Sequence, residues 1–292
     1  MIVAAFPAFN EERTIAKVVA RATKHVDEVI VVDDGSSDDT GLIAERLGAY
    51  VVRHEDNKGY GAAIRSCFSA ARDLAANVLV TLDADGQHDP DEIPRIIEPI
   101  LNGESDVVIG SRFHEGSSNE IPRYRSVGMR MLNEATNRVA RQIVTDSQSG
   151  FRAYSKKAID SMKLYETGMA VSSELVIKAG DAGLRISEVP IAVKYRGVGG
   201  PSQNPLSHGL GVLSSIVQMG AEKHPFLFVG LPGLLSAIGG IYGWLWVVER
   251  YAVVRQLAVG MALISTVLLV VGVVAVNTAL ILYAFSNLSK RL

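Results

Sequence analysis

Short apolar runs separated by longer, intermittently apolar stretches set the pattern of the first part of the chain. The runs are "IVAAF", "EVIVVDD", "YVVR", "NVLVTLDAD" and "DVVIGSR". They are rich in β-branched residues and nearly continuous in hydrophobicity, as strands buried on both faces of a parallel sheet are. Between them, residues 14–23, 40–47, 62–74 and 91–101 read as helices. Strands alternating with helices predict an α/β domain: a mostly parallel sheet joined by right-handed crossovers.

The pattern loosens after residue 112. Residues 129–143 and 172–182 read as helices, "TDSQSGFRAYS" as a polar turn and "ISEVPIAVKYR" as a strand. Residues 206–221 place Leu206, Leu210, Leu213 and Val217 at helical spacing. Just ahead of a strongly apolar segment, this predicts an amphipathic helix lying in a membrane interface; an ordinary helix packed on the domain fits the same spacing. Residues 226–248 then form 23 positions without a charge, and residues 257–285 form 29. A hydrocarbon core of ~30 Å needs about 20 apolar residues in a helix. The expected organisation is therefore a catalytic-type domain over 1–205, an interfacial helix over 206–225 and a transmembrane hairpin over 226–292. The short connector "ERYAVVRQ" makes the hairpin antiparallel and puts both termini on one side.

Composition removes some classes. A formal net charge of −2 across 292 residues gives no general basic field, so no nucleic-acid partner is expected. The single cysteine, Cys67, excludes an internal disulfide framework and suits a reducing compartment. The opening "MIVAAFPAFNEER" has too short an apolar run for a signal peptide and reads as a first strand.

Ligands of parallel sheets bind beyond the carboxyl ends of the strands, and the residues expected there are acidic: "PAFNEE", "DDGSSDD" and "DADGQHD", with "GSRF" after the fifth run. Asp83 and Asp85, one residue apart at a strand end, make an oxygen-rich site of the kind that takes a hard divalent cation, with substrate phosphates completing the coordination. A D-x-D triplet alone is also a common solvated turn; its place beside "DDGS" favours the cation. Gly35 permits a tight turn, while Asp33 and Asp34 exceed what that turn needs and suit a ribose or a base N–H. "NKGYGAAIR" has two glycines ahead of a helix but lacks the spacing of a phosphate-binding loop, so tight chain passage is the favoured reading. His88 either lines the acidic site or reaches its metal. Arg112, Arg123, Arg125, Arg130, Arg152 and Arg196 follow the acidic clusters, and arginine recognises phosphate through a planar fork.

In order along the chain, "PAFNEE", "VVDDGSSDDT", "NKGYGAAIR", "LDADGQHDP", "VIGSRF", "DSQSGFRAYS", "SEVPIAVKYR" and "GGPS" resemble glycosyltransferase family 2, above all its dolichol- and polyprenyl-phosphate hexosyltransferases. The resemblance covers residues 1 to about 205. It implies a GT-A fold and a metal-dependent, inverting sugar transfer. Pro7, Phe9, Glu11, Asp33, Asp34 and Ala84 would form the nucleotide-sugar pocket, with Arg196 and Ser202 closing over the diphosphate. Asp83, Asp85 and Gln87 would hold Mg²⁺ or Mn²⁺. Arg112, Arg123 and Arg125 would receive the acceptor phosphate, and Asp85, Arg112 and Arg125 would carry the catalysis. The chain departs from the family pattern at Gly86, where a bulkier residue is usual, and at Val127 or Met129, where a serine is expected after the acceptor arginine.

The implied partners are a nucleotide sugar, a dolichyl or polyprenyl phosphate and the membrane, with a homo-oligomer left open. The implied place is a cell membrane or endomembrane, with the catalytic domain and both termini cytoplasmic. GDP-mannose, UDP-glucose and a UDP-N-acetylhexosamine remain equal candidates as donor. Two other functions are weighed beside this one: transfer to a glycan or glycolipid hydroxyl, which needs a carboxylate base, and an inactive domain serving as a membrane scaffold.

Overall fold

The computed structural model describes residues 1–113, 123–193 and 205–289. The expected alternation begins with β1 (Ile2–Ala8), α1 (Ile15–Ala22), β2 (Glu28–Asp33), α2 (Thr40–Arg46), β3 (Tyr50–Arg53), α3 (Tyr60–Asp73) and β4 (Val78–Thr81). A short 3₁₀ turn over Pro90–Glu92 leads into α4 (Ile93–Leu101), then β5 (Val107–Ser111) and α5 (Arg123–Ala140). Asp89 caps that turn, accepting Asp91 N–H at 3.1 Å, with Pro90 in the first position where its missing N–H costs nothing.

The sequence pattern missed one strand. Within the stretch read as a polar turn, "RAYS" forms β6 (Arg152–Ser155), followed by α6 (Lys156–Ser161), α7 (Val171–Asp181) and β7 (Ile186–Pro190). The sheet order is β3-β2-β1-β4-β6-β5-β7. All pairings are parallel except those of β6, which runs antiparallel to both β4 and β5. This reversal positions the site. The parallel strands bring their C-terminal ends to one edge, and β6 brings its N-terminal end, with residues 145–150, to the same edge.

Helices cover both faces. On one, Ile15, Val18, Ile93 and Ile96 of α1 and α4 pack with Phe6, Val31, Val80 and Val108 of the sheet. Each such side chain contributes about 1.5–3 kcal/mol on leaving water. On the other face α3 covers β1, β2 and β4, with Phe68 edge-on to Tyr154 at 4.8 Å between centroids.

By compactness the chain divides at Ile216 and Val217, inside α8 (Pro205–Lys223). Within α8, Val212 and Ile216 are buried and Val217 is exposed. In the second unit a π-helical turn over Phe226–Gly230 precedes α9 (Leu231–Val254) and α10 (Val259–Ser289). Helix α9 is longer than the apolar pattern suggested. It absorbs most of the predicted connector and stops where Arg255 turns left-handed (φ 57°) and its N–H bonds to Tyr251 C=O. Small residues set the hairpin's spacing. A side chain on Gly240 would meet the backbone of Ser265 and Leu269, and one on Gly233 would meet Ala275, so the helices approach backbone to backbone. Ser236 Oγ donates to Leu268 C=O at 2.8 Å, and Trp244 Nε1 to Thr266 Oγ1 at 3.1 Å.

The spans Phe226–Val254 and Val259–Ala284 are long and apolar enough to cross a membrane. Only 22% and 11% of their most apolar windows are buried within the chain. A core hairpin of a water-soluble protein would cover that surface with its own side chains; this one leaves most of it exposed.

Candidate active site

Asp83 and Asp85 leave the sheet just past β4, beside Glu11 from the loop after β1. Burial raises the Glu11 carboxyl above its ordinary range, and the charges of Asp38 and Asp83 add to the effect; a 2.9 Å bond from Thr14 Oγ1 opposes them. Burial and then the neighbouring Asp83 charge push Asp85 up to about 7. Asp85 Oδ1 accepts Gln87 N–H at 2.8 Å, a local turn that Gly86 allows through a left-handed φ of 75°. A side chain at Gly86 would meet only Thr14, at 3.6 Å, so backbone conformation accounts for the glycine better than crowding does.

The Asp83 carboxylate is fenced on three sides. Tyr60 Oη donates to Oδ1 at 2.8 Å, His88 Nε2 lies 3.9 Å from Oδ2, and any Cβ on Gly150 would collide with Oδ2. His88 is itself buried, tilted against Phe151 at 5.5 Å, and its Nδ1 has no partner among the described residues. Burial lowers its pKa, so the neutral imidazole lines the site.

Among the described residues no three His, Cys, Asp or Glu side chains converge into a metal-holding group. The acidic side chains gathered at this point of the edge are Glu11, Asp83 and Asp85. Two carboxylates, one of them raised toward neutrality by burial and then by its neighbour's charge, fit a hard divalent cation, which would offset that charge and keep positions for diphosphate oxygens.

The remaining expected pocket residues divide by exposure. Pro7 and Ala84 are buried beneath the edge, whereas Phe9 is 45% exposed above it. Asp33 is buried, with Oδ1 accepting Ser36 N–H at 3.0 Å, and so holds the "DDGSS" turn. Asp34 has a full set of internal partners: His54 Nδ1 at 2.6 Å, Lys58 N–H at 3.0 Å and Gly59 N–H at 2.9 Å. His54 Nε2 is 2.8 Å from Ser66 Oγ. This Asp–His–Ser row ties the loop before α3 to the sheet. Ser66 sits in mid-helix, where the backbone N–H groups are already bonded and cannot serve an oxyanion.

The glycines of "NKGYGAAIR" serve chain passage. Gly61 N–H donates to Thr167 C=O at 2.8 Å and Ala62 N–H at 3.3 Å, so a carbonyl caps the helix start where a phosphate would otherwise bind. A Cβ on Gly59 would stand 2.6 Å from Thr167 O. Glu174, buried in α7, in turn accepts Tyr165 N–H at 2.8 Å and Glu166 N–H at 2.9 Å.

Arg112, just past β5, is gripped by Asp146. Nε donates to Oδ2 at 2.6 Å and Nη2 to Oδ1 at 2.7 Å. Around it, Glu188 accepts Thr145 and Asp146 N–H groups at 2.9–3.1 Å, and Asn133 Oδ1 accepts Ser147 N–H at 2.8 Å. The Gln148 amide donates to Ser147 Oγ and Ser173 Oγ, linking this loop to α7. Arg152 is fully buried, with Nε and Nη2 donating to Ser149 and Ser147 carbonyls at 2.8 and 2.6 Å. It braces the loop instead of facing a ligand. Arg123 and Arg125 fall in the first turn of α5, their side chains outside the described part; Arg196 and Ser202 lie outside the described residues altogether. The sequence pattern does not single out Tyr60, Asp146 or Glu188, whose partners lie 23, 34 and 43 positions away, nor Glu174, whose partners Tyr165 and Glu166 precede its helix.

The family model described as glycosyl transferase family 2 matches residues 4–162. The chain is 38% identical, over 214 residues, to the UDP-N-acetylglucosamine–dolichyl-phosphate N-acetylglucosaminyltransferase of Methanococcus voltae, covering 65% of this chain and 84% of that one. It is 30% identical over 270 residues to the dolichol-phosphate mannosyltransferase of Pyrococcus furiosus, covering 87% and 74%. Among solved structures, glucosyl-3-phosphoglycerate synthase from Mycobacterium tuberculosis with Mn²⁺ and UDP-glucose superposes with a TM-score of 0.61 at 26% identity, covering 76% and 79%.

Proposed function

Since the chain belongs to glycosyl transferase family 2, we propose that it is a membrane-anchored, inverting transferase carrying a sugar from a nucleotide donor to a dolichyl or polyprenyl phosphate. The observation that carries this reading is the joining, in one chain, of an Asp83–Asp85 pair at a GT-A-type sheet edge with a lipid-suited helical hairpin. A water-soluble acceptor would give the hairpin no purpose. The names of the relatives from Methanococcus voltae and Pyrococcus furiosus support a lipid-phosphate acceptor. The first also makes UDP-N-acetylglucosamine the first donor to test. The hairpin would hold the site at the bilayer surface, with the catalytic domain on the cytoplasmic side where nucleotide sugars are made.

In this mechanism Asp83, Asp85 and Gln87 would hold a Mg²⁺ or Mn²⁺ ion, which would supply positive charge against that growing on the departing nucleoside diphosphate. Phe9 and Glu11 line the donor pocket over Pro7 and Ala84, and Asp33 sets the turn facing the base and ribose. Arg196 and Ser202 close over the diphosphate. The acceptor needs no strong base: a phosphate monoester has a second pKa of about 6 and is largely dianionic at neutral pH. Arg112, Arg123 and Arg125 receive that phosphate and align it for attack on the anomeric carbon from the face opposite the leaving group. Arg112 comes preoriented by its fork with Asp146.

The test is transfer of radiolabelled sugar from UDP-N-acetylglucosamine, GDP-mannose and UDP-glucose into polyprenyl phosphate by the full chain in detergent. A chloroform-extractable, mild-acid-labile product is expected, and Asp85→Asn should abolish it even with saturating Mg²⁺ or Mn²⁺. Near-normal transfer by Asp85→Asn would sink the metal assignment. Label appearing only in an acid-stable glycan would instead indicate a hydroxyl acceptor.

A further inference from the structure

Resting on the metal-site reading above, we propose that Tyr60 is a positioning residue for Asp83, and that the "GYG" triplet opening α3 exists to place its hydroxyl there. Tyr60 Oη donates to Asp83 Oδ1 at 2.8 Å from 23 positions away in the chain. That bond engages one carboxylate oxygen and leaves Oδ2 on the side of His88 and the Gly150 backbone. Asp83 is thereby held in a single orientation while Asp85 is held by its own turn. Without the phenol, repulsion between the two carboxylates would rotate Asp83 away from a shared cation.

The placement of Tyr60 is built from the backbone. Gly59 enters α3 with φ 93°, a conformation that residues bearing a Cβ rarely adopt. A Cβ on either Gly59 or Gly61 would run into the backbone of residues 166–168. The two glycines therefore let α3 start hard against that segment, where Thr167 C=O caps it and buried Glu174 anchors the segment in turn. The result is a rigid chain of bonds from α7 through Thr167 and α3 to the Tyr60 hydroxyl. A phenol has an ordinary pKa of about 10 and so is a hydrogen-bond donor at neutral pH. Groups that bond to a metal's ligands typically change metal affinity or activity by about 10–100-fold when removed.

The experiment compares the full chain in detergent as wild type, Tyr60→Phe and Tyr60→Leu. Mn²⁺ binding is titrated by the loss of the free-ion paramagnetic resonance signal, without any sugar donor. Tyr60→Phe keeps the ring and should weaken Mn²⁺ binding about 10–100-fold, with the metal-free melting temperature close to wild type. In sugar transfer, its Mn²⁺ requirement should rise far more than its maximal rate falls, so added Mn²⁺ restores activity. Tyr60→Leu should weaken Mn²⁺ binding to the same degree as Tyr60→Phe, with a lowered melting temperature from the lost ring. Wild-type Mn²⁺ affinity in Tyr60→Phe would overturn the inference. So would a loss of transfer that added Mn²⁺ does not restore. If the wild-type chain itself bound no Mn²⁺, the metal-site reading would fail first and this inference with it.

Discussion

Arg112 and Asp146 meet side-on, Nε to Oδ2 at 2.6 Å and Nη2 to Oδ1 at 2.7 Å, while Arg112 N–H also donates to Oδ2 at 3.0 Å. The Asp146 side chain is fully buried and that of Arg112 only 15% exposed. Removing one member of such a pair strands the other charge away from water. Asp146→Asn should destabilise the catalytic domain by about 3 kcal/mol, read as a lowered denaturation midpoint in detergent. It should also raise KM for the lipid phosphate more than KM for the nucleotide sugar. Unchanged stability would mean that the fork bonds mainly to other groups.

Asp85 makes cation binding depend on pH. Its carboxyl titrates at about 7 in the folded chain against an ordinary 3.8. A folded-state pKa raised above the unfolded one stabilises the metal-free fold at low pH, and that stabilisation fades as pH rises from about 4 through 7. A cation binds the ionised form. Mn²⁺ affinity should therefore climb up to about pH 7 and then level off, with a proton released on binding below that pH. Calorimetry in buffers of different ionisation enthalpy measures the proton; a flat affinity between pH 5 and 8 would contradict the assignment.

Gly150 lies so close to Asp83 that a methyl group would displace the carboxylate. Gly150→Ala should leave the fold intact, because the atoms a Cβ there would meet first belong to the Asp83 carboxylate, a side chain that can turn. Transfer should fall by about 100-fold, the cost of a displacement on the order of 1 Å at a reacting centre. A kcat within twofold of wild type would show that Asp83 moves freely.

Glu174 accepts two backbone N–H groups while almost wholly buried. Glu174→Ala leaves Tyr165 and Glu166 without acceptors and should cost about 2–4 kcal/mol. Hydrogen exchange should then accelerate at residues 165–168 and in the first turn of α3. Exchange confined to α7 would break the proposed connection to Tyr60.

Much of this protein was legible along the chain, because its signals are local. Buried strands of a parallel sheet advertise themselves as β-branched runs, a spanning hairpin as uncharged stretches longer than about 20 residues, and a strand end as a cluster of acidic side chains. Thus β1 to β5, both apolar helices and the Asp83–Asp85 pair could be placed from sequence. β6 could not: "RAYS" is short and carries an arginine whose Nε and Nη2 find carbonyl acceptors only after the 147–149 turn has folded around it. The partners of the candidate site were equally hidden. Tyr60 and Asp83 stand 23 positions apart, and Arg112 and Asp146 stand 34 apart, distances at which spacing carries no information. Asp33 and Asp34 looked alike in "DDGSS", yet strand alternation sends neighbouring side chains to opposite faces. One carboxylate holds its own turn, and the other is spent on His54 and the loop before α3. Which residues reach the sheet edge is written in sequence. Which of them remain available there is decided by the buried hydrogen bonds that only the assembled layers can form.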